Sequence, residues 1–327
     1  MSVAFTLPQP DRPVALAPLA GITDLPFRQL VSRFGAGWVV SEMVASQEMV
    51  QAKPGVRERA ELGFDQCNTA VQLAGRDAHW MAEAARMVEA NGAAMIDINM
   101  GCPAKKVTSG YSGSALMKDL DHALTLIEAV VGAVKVPVTL KTRLGWDDDL
   151  LNAPDLARRA ENAGIQRIVI HGRTRCQFYK GRADWAAIAG VKAAVSFPVI
   201  ANGDITGTPQ ARAALAASNA DGVMIGRGAQ GRPWILAQIA ADLTGRKAPD
   251  VPQGSDFIDM VSTHYDAMLA FYGVDLGGRV ARKHLGWYMD VAHTPRDLRG
   301  AVLTLADPAK VLALLPDALI QPAQVAA

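Results

Sequence analysis

The sequence of 327 residues has few cysteines, no long apolar run and almost no net charge. Its three cysteines, Cys67, Cys102 and Cys176, are too few and too far apart for a disulfide framework or a CxxC metal site. We therefore expect a reducing compartment and no bound metal. No eighteen apolar residues follow one another, and residues 1–13 lack the apolar region of a signal peptide. These absences predict a cytoplasmic protein without a membrane anchor.

Charge and composition narrow the class of protein further. The 33 Lys and Arg against 32 Asp and Glu leave a net charge of +1, so any nucleic-acid binding must depend on local charge. Half of the residues are apolar, a fifth are charged, and the mean hydropathy is +0.11. This composition is typical of a globular protein and disfavours disorder, fibres and coiled coils.

Short β-branched, apolar runs alternate with longer stretches of helical period over about the first 230 residues, at the length scale of an eight-stranded barrel. Helices are predicted between the runs, for example over 119–134 and over 77–90, with Trp80, Ala84, Met87 and Val88 as the apolar face of the latter. Eight strands alternating with helices match a (β/α)8 TIM barrel, one of the α/β folds. The predicted strands are residues 14–18, 38–41, 69–73, 95–99, 136–141, 168–171, 198–201 and 222–225.

The pattern changes after Thr244, where the Pro- and Gly-rich segment GRKAPDVPQGSD reads as a linker. Beyond it we predict only helices, over 255–272, 276–291 and 295–305, and a loose tail from residue 321. The sequence therefore predicts a catalytic barrel over residues 1–245, and a linker with a small C-terminal helical domain over 246–327.

Nearly every predicted strand ends in a polar group, and barrel active sites lie at that end. Each residue by itself has an ordinary structural explanation, Lys141 as a solvated strand end or His171 as a core histidine. The loops NGDITG and GRGAQG after strands seven and eight are glycine-rich and precede helices, which is the usual phosphate site of such barrels. The second loop also spells GxGxxG, but Asp250 falls in the linker, so we reject a dinucleotide fingerprint.

Three residues, Lys141, His171 and Cys102, indicate chemistry at this face. Lys141 and His171 on neighbouring strands can place positive charge and hydrogen bonds beside a flavin. Cys102 lies in the longest loop after a strand, and a thiol that is mostly protonated at neutral pH serves better as a proton donor than as a nucleophile. Cys67 and Cys176 are expected to be buried filler.

Positive charge is concentrated in two segments that also contain aromatic residues. Residues 165–185 carry five basic residues against one acid, together with Phe178, Tyr179 and Trp185. Residues 279–299 carry five basic residues against two acids, with Trp287 and Tyr288. Basic groups mixed with aromatic rings suit phosphate contacts and base stacking. Residues 250–327 nevertheless carry six basic and nine acidic groups, so packing of an amphipathic helix on the barrel stays an alternative.

The chain resembles the bacterial tRNA-dihydrouridine synthases, and among them the B-like branch. The resemblance extends from about residue 15 to about residue 291. At the first strand, this chain has Leu19 where the branch usually has Met, a residue of similar bulk. The matching stretches are APLAGITDLPFR, SEMV, VQLAG, DINMGCPAKKV, VTLKTRLGWD, IHGRTR, PVIANGDI, IGRGAQGRPW and RVARKHLGWY.

The resemblance implies FMN at the barrel mouth, NADPH or alternatively NADH as reductant, and reduction of specific uridines in tRNA. It implies Cys102 as the proton donor to uracil C5. The residues implied to bind FMN are Pro18, Leu19, Ala20, Gln72, Lys141, His171, Asn202, Gly203, Asp204, Gly226 and Arg227. Those implied to meet the flipped base are Asn99, Arg143, Arg173 and Tyr179, and those expected to bind tRNA are Arg279, Arg282, Lys283 and Trp287.

In this hypothesis FMN gives a hydride to uracil C6, and Asn99 and Arg143 stabilise the negative charge on the carbonyls. Because no second nucleotide-binding domain is evident, we expect NADPH to use the same mouth before tRNA. We expect a monomer whose partner is tRNA. Two alternatives stay open: a flavin-dependent reductase of a free small molecule, and a tRNA-binding or regulatory protein without catalysis.

Overall fold

A computed structural model describes residues 14–35, 37–53, 55–63 and 68–320 of the chain. Cys67, residues 1–13 and the tail predicted from residue 321 lie outside the described residues, so the expectations for them stay predictions.

Eight parallel strands close into a barrel, as the sequence predicts. The strand Val14–Leu16 pairs with both Trp38–Val40 and Gly222–Ile225. Trp38–Val40 also pairs with Thr69–Ala74, so the sheet returns on itself. A short additional strand, Val44–Ala45, was not indicated by the sequence and pairs with the end of Thr69–Ala74. The strands are β1 (Val14–Leu16), β2 (Trp38–Val40), β3 (Val44–Ala45), β4 (Thr69–Ala74), β5 (Met95–Met100), β6 (Val138–Arg143), β7 (Ile168–His171), β8 (Val199–Asn202) and β9 (Gly222–Ile225).

Two strands, β7 and β9, have the predicted bounds, and the bounds of the other six predicted strands differ by one or two residues. The largest shift is at β6, which begins at Val138 rather than at residue 136, since Pro137 has no N–H to donate to a ladder. The shift matters for function because β6 then ends at Arg143 and brings both Lys141 and Arg143 to the carboxyl end of the barrel.

Helices cover the outside of the barrel, and acidic caps begin several of them. Asp77 accepts a hydrogen bond from the Trp80 N–H, and Asp119 accepts one from the His122 N–H. The barrel helices are α1 (Leu25–Arg33), α2 (Ser46–Val50), α3 (Ala78–Ala90), α4 (Lys105–Thr108), α5 (Leu120–Ala133), α6 (Ala153–Asn162), α7 (Ile188–Ala194), α8 (Thr208–Ser218) and α9 (Ile235–Thr244).

The predicted apolar face of α3 is partly wrong. Its buried residues are Met81, Ala84, Ala85 and Val88, whereas Trp80 and Met87 are only half-buried. The buried stripe follows the i, i+3, i+4, i+7 spacing of a helix from residue 81 onward.

Four helices follow the segment after α9: α10 (Gly254–Tyr272), α11 (Val274–Val291), α12 (Arg296–Thr304) and α13 (Pro308–Leu319). The last was not delimited by the sequence pattern. These helices share a hydrophobic core that also takes in Leu30 of α1 and Trp234 of the barrel. The helical unit therefore packs on the barrel through apolar contacts, and its boundary at residue 245 stays a prediction. In the described part of the chain, no helix has the length and apolarity needed to span a bilayer.

Candidate active site

A cavity of about 760 Å³ opens at the carboxyl ends of the barrel strands. This volume lies within the range of small-molecule sites. The structure brings to it fifteen of the residues singled out from the sequence, from seven of the eight barrel strands or the loops that follow them. They are Pro18, Leu19, Ala20, Gln72, Asn99, Cys102, Lys141, Arg143, His171, Tyr179, Asn202, Gly203, Asp204, Gly226 and Arg227.

Cys102 lies half-buried at the cavity, in a loop held on both sides. Its N–H donates to Asn99 Oδ1 at 3.0 Å, and its carbonyl accepts from Ser114 N–H at 3.1 Å and Ser114 Oγ at 2.9 Å. Gly113 approaches this carbonyl so closely that a Cβ would lie 2.8 Å from it, and its φ of +60° also favours glycine. The backbone thus fixes the place of the thiol.

Lys141 and His171 line the cavity from neighbouring strands. Lys141 Nζ donates to Asn202 Oδ1 at 3.1 Å, and burial, reinforced by Arg143, lowers the pKa of Lys141 to about 8. Burial and the surrounding cations hold the pKa of His171 well below its usual value, so its ring is neutral near pH 7. The buried Nδ1 of His171 has no hydrogen-bond partner among the described residues.

Arg143 ties two loops together beside Cys102. Its Nε donates to the Gly101 carbonyl at 2.8 Å, and its Nη1 donates to the carbonyls of Thr174 and Phe178, both at 2.9 Å. Burial lowers the pKa of Arg143 to about 10, which leaves the guanidinium charged at neutral pH. A fixed positive charge therefore stands beside the thiol.

Arg173 is absent from the residues that line the cavity, and its expected contact with the substrate stays a prediction. Its side chain is 1% exposed and forms a bidentate pair with Asp204, at 3.1 and 2.5 Å. Its other bonds go to the carbonyls of Lys180 and Gly181. Sequence spacing could not distinguish this buried position from an exposed one, since both place a basic residue just after β7.

Asp204 is the common partner of two arginines at the edge of the cavity. Arg227 donates to Asp204 Oδ1 at 3.0 Å from the solvent side, and the Ala183 N–H donates to Oδ2 at 2.8 Å. Burial would raise the pKa of Asp204, but the Arg173 and Ala183 hydrogen bonds outweigh it and lower the pKa below its usual value. Asp204 thus holds the loop after β8 rather than acting as an acid.

Two exposed aromatic rings stand at the cavity mouth. Tyr179 is 48% exposed and Phe178 is 42% exposed, and their rings meet edge to face at 4.9 Å. The guanidinium carbons of Arg143 and Arg227 each lie 5.5 Å from the Tyr179 ring centroid. Exposed rings flanked by cations are suited to stacking on a nucleobase.

The four tRNA-binding candidates of α11 lie outside the main cavity, and two of them meet the barrel mouth. The Lys283 ammonium lies 3.2 Å from where a Cβ on Gly21 would stand, over the loop after β1. Trp287 lines a second cleft of about 460 Å³, shared with Arg227 and Arg232 of the loop after β9. Arg279 and Arg282 are exposed on the same helix.

Arg232 and Asp97 shape the site and were not singled out from the sequence, whereas Glu42 was one of the polar residues at the ends of the predicted strands. Arg232 lines both the cavity and the second cleft, and it lies within the GRGAQGRPW motif. Glu42 is buried and accepts a hydrogen bond from the Gly21 N–H, which holds the loop after β1. Asp97, an acid inside an apolar strand, is 3% exposed and contacts Gln72. One indication of its importance was present in the sequence, since Asp97 is a charged residue inside an otherwise mostly apolar predicted strand, in DINMG.

Cys176 is exposed, so the expectation that it is buried filler is wrong. It follows Arg175 in the loop after β7, which projects from the barrel, and an irregular loop offers no core in which to bury a small side chain.

Comparisons with known proteins agree on one family. The family model described as dihydrouridine synthase matches residues 15–324. A probable tRNA-dihydrouridine synthase of Rhodobacter capsulatus is 63% identical over 319 residues, covering 97% of this chain and 98% of that protein. The tRNA-dihydrouridine synthase B of Xanthomonas campestris is 47% identical over 306 residues, covering 93% and 92%.

Among solved structures, histamine dehydrogenase from Rhizobium sp. 4-9 is similar with a TM-score of 0.53 and 13% sequence identity. The match covers 78% of this chain and 48% of that one. At this identity the likeness bears on the barrel fold alone.

Proposed function

This chain belongs to the dihydrouridine synthase family, and from that premise we propose that it is an oxidoreductase that reduces uridines of tRNA to 5,6-dihydrouridine. The observation that carries the proposal is Cys102, held by its backbone at a cavity that also presents Lys141, His171 and Arg143. A proton donor and a set of cationic and neutral hydrogen-bond donors share one concave site, as the reduction of a polarised double bond requires.

The residues at the cavity fit a flavin mononucleotide. His171 Nδ1 is buried without a partner among the described residues, and His171 lines the same cavity as the Lys141 ammonium. The loops after β8 and β9 contribute Gly203, Gly226 and the Arg227 guanidinium to the same cavity, a setting suited to a phosphate. We propose that Lys141 and His171 hold the ring system and that Arg227 holds the phosphate. When bound, this group supplies the hydride for uracil C6.

Cys102 supplies the proton that completes the reduction. Hydride addition at C6 of uracil leaves an electron pair at C5, conjugated with the C4 carbonyl. The Cys102 thiol donates its proton to C5, which forms the C–H bond and leaves a thiolate. The fixed charge of Arg143 stabilises both the enolate and that thiolate. Asn99 places the thiol by accepting from the Cys102 N–H.

The mouth of the cavity is suited to an extruded base and its backbone. Phe178 and Tyr179 offer exposed rings for stacking, and Arg232 and Lys283 bring positive charge to the opening at the loops after β9 and β1. The compensation for unstacking a uridine, a few kcal/mol, would come from these contacts. The net charge of +1 averages residues 1–249, with 27 basic and 23 acidic groups, and residues 250–327, with an acidic excess, so it does not oppose tRNA binding.

We also propose that NADPH uses this cavity before the uridine does, which predicts ping-pong kinetics. The nicotinamide and the uracil must each approach the same flavin ring, and Tyr179 and Arg227 border the approach. A complex holding NADPH and tRNA together would contradict this proposal. A cytoplasmic monomer is the state we propose for the active enzyme.

The test compares Cys102→Ala with Cys176→Ala, a matched control at the exposed cysteine. Each protein is incubated with NADPH and with tRNA from cells lacking the gene, and dihydrouridine is mapped by mass spectrometry. We expect the control to retain activity and Cys102→Ala to lose it by about 10²-fold or more while still binding flavin and tRNA. Undiminished product with Cys102→Ala would contradict the role of Cys102. No product from the wild-type protein would contradict the proposed function, including its choice over a small-molecule reductase.

A further inference from the structure

An unbroken chain of buried hydrogen bonds runs from the inside of the barrel to Cys102. Gln72 Nε2 donates to Asp97 Oδ2 at 2.7 Å, and Asn99 Nδ2 donates to Gln72 Oε1 at 2.7 Å. Asn99 Oδ1 then accepts from the N–H groups of Gly101 at 3.2 Å and Cys102 at 3.0 Å. Three consecutive hydrogen bonds, with a branch to the Gly101 N–H, therefore connect a carboxylate with the backbone that carries the thiol.

Strand register brings these side chains together. Gln72 on β4 is paired with Asp97 on β5, which is paired in turn with Thr139 on β6. Since alternate residues of a strand face the same side, Asp97 and Asn99 both point into the barrel, one layer apart. Asp97 lies on the layer below the cavity, where it is 3% exposed, and Asn99 lies at the cavity itself.

The carboxylate decides which way each amide points. A carboxylate accepts and cannot donate, so Gln72 must turn its NH₂ toward Asp97 and its oxygen toward Asn99. Asn99 must then turn its NH₂ toward Gln72 and its oxygen toward the N–H groups of the Cys102 loop. Without Asp97, either amide can rotate and present a donor where the loop needs an acceptor.

We propose that Asp97 is a positioning residue that fixes the donor and acceptor direction of the Gln72–Asn99 chain and thereby holds Cys102 at the cavity. The inference rests on the proposed function for its catalytic meaning. It requires no contact between Asp97 and the substrate, since Asp97 acts through two side chains and one loop.

The surroundings of Asp97 agree with this role. Thr139 Oγ1 donates to its other oxygen at 2.6 Å, so both oxygens have a partner. Burial raises the pKa of Asp97, while the hydrogen bonds from Gln72 and Thr139 and then the charges of Lys141 and Arg167 act in the opposite direction and favour the ionised form. Arg167 itself is stacked on the Trp38 ring at 3.9 Å and forms a contact with Met95 Sδ. The acid is thus built into the barrel interior rather than placed for solvent contact.

A charge relocation separates this role from simple packing. Asp97→Asn by itself can turn an amide N–H toward the Gln72 N–H, because Thr139 Oγ1 donates to the other oxygen, so the first link no longer fixes the direction of the chain. Gln72→Glu combined with Asp97→Asn restores it, because the new amide at position 97 can donate to the new carboxylate at position 72. The other oxygen of that carboxylate still accepts from Asn99. The double variant therefore differs from the single variant in the direction of the chain and barely in volume.

The readout is the rate at which iodoacetamide alkylates Cys102 in the flavin-bound protein, resolved by peptide mass spectrometry, with Cys176 in the same chain as internal reference. We expect Asp97→Asn to accelerate alkylation of Cys102 by about five-fold or more, and the double variant to return it to within about two-fold of wild type. Thr139→Val, which leaves the chain intact, should stay near wild type. Should Asp97→Asn not yield folded protein, Asp97→Ala takes its place with the same expected acceleration.

An unchanged or slower Cys102 rate in the single variant overturns the inference. So does a double variant as fast as Asp97→Asn, or a parallel rise at Cys176, which would indicate general loosening. None of these readouts involves NADPH or tRNA. Failure of the wild-type protein to make dihydrouridine would therefore leave the positioning role standing, and the two failures are distinguishable.

Discussion

Replacing Arg173 by Met is the sharpest test of how the cavity wall is built. The structure gives Arg173 a buried bidentate pair with Asp204 and two bonds to backbone carbonyls. Arg173→Met keeps most of the side-chain volume and removes all of these bonds. The variant therefore leaves Asp204 with only its solvent-side partner Arg227 and the Ala183 N–H among the described residues.

The expected loss in the free energy of unfolding depends on how exposed the ion pair is. Breaking a buried ion pair costs about 3–5 kcal/mol, whereas exposed pairs contribute about 0–1 kcal/mol. Asp204 is 27% exposed and keeps a second cation, so the loss for Arg173→Met is reduced to about 2–3 kcal/mol. The matched control is Arg227→Met, which removes the pair to the same carboxylate from a side chain that is 56% exposed, and we expect a loss below about 1 kcal/mol.

Thermal unfolding of the flavin-free proteins measures the difference without the proposed phosphate contact of Arg227, and we expect it to be about 3 °C in melting temperature between the two variants. The sign of the pH dependence is fixed, because the pKa of Asp204 is lowered below 3.8 by its hydrogen bonds from Arg173 and Ala183. The pair then contributes fully above about pH 4 and is lost as the pH falls through the folded-state pKa. A wild-type melting temperature with reduced tRNA turnover would refute this reasoning and would return Arg173 to substrate contact.

Two further predictions concern stability and tRNA affinity. Burial raises the pKa of Asp24 from 3.8 to about 6, with the Glu42 charge adding to it, so keeping this carboxylate ionised at pH 7 and above destabilises the folded chain. Asp24→Asn keeps an N-cap and should stabilise the protein by about 2 kcal/mol at pH 8 and much less at pH 4 in urea unfolding; an equal gain at both pH values would count against it. Lys283 lies over Gly21 at the mouth, so Lys283→Ala should lower tRNA affinity and reduce the salt slope of binding by about one. Lys135→Ala, before β6 on the opposite face of the barrel, is the control, and an equal effect there would remove Lys283 from the interface.

The contact between the helical unit and the barrel also changes how tRNA binding is best tested. Deleting residues 250–327 would uncover Leu30, Phe34 and Trp234, which pack against the helices. Loss of activity in such a truncation would mix the loss of tRNA contacts with the exposure of apolar surface. Single substitutions on the exposed face of α11 avoid this difficulty.

The order of elements and the face that carries the site were determined by the sequence. Alternating apolar runs and helical periods encode the barrel, because strands buried on both faces must be apolar throughout, and polar residues such as Lys141 and Asn202 then stand out at the strand ends. Cys102 was identifiable by its place in the longest loop. These features are local, so local patterns reveal them.

Only the tertiary structure decided which polar side chains face the cavity and which are buried behind its wall and hold it in place. Arg143 ends β6 and Arg173 lies two residues beyond the neighbouring β7, yet Arg143 lines the cavity and Arg173 turns to Asp204. The role of Asp97 follows from strand register, which pairs it with Gln72 on the neighbouring strand. Direction of a side chain and pairing across strands depend on contacts between residues far apart in the chain, and the period of one segment carries no information about its partner.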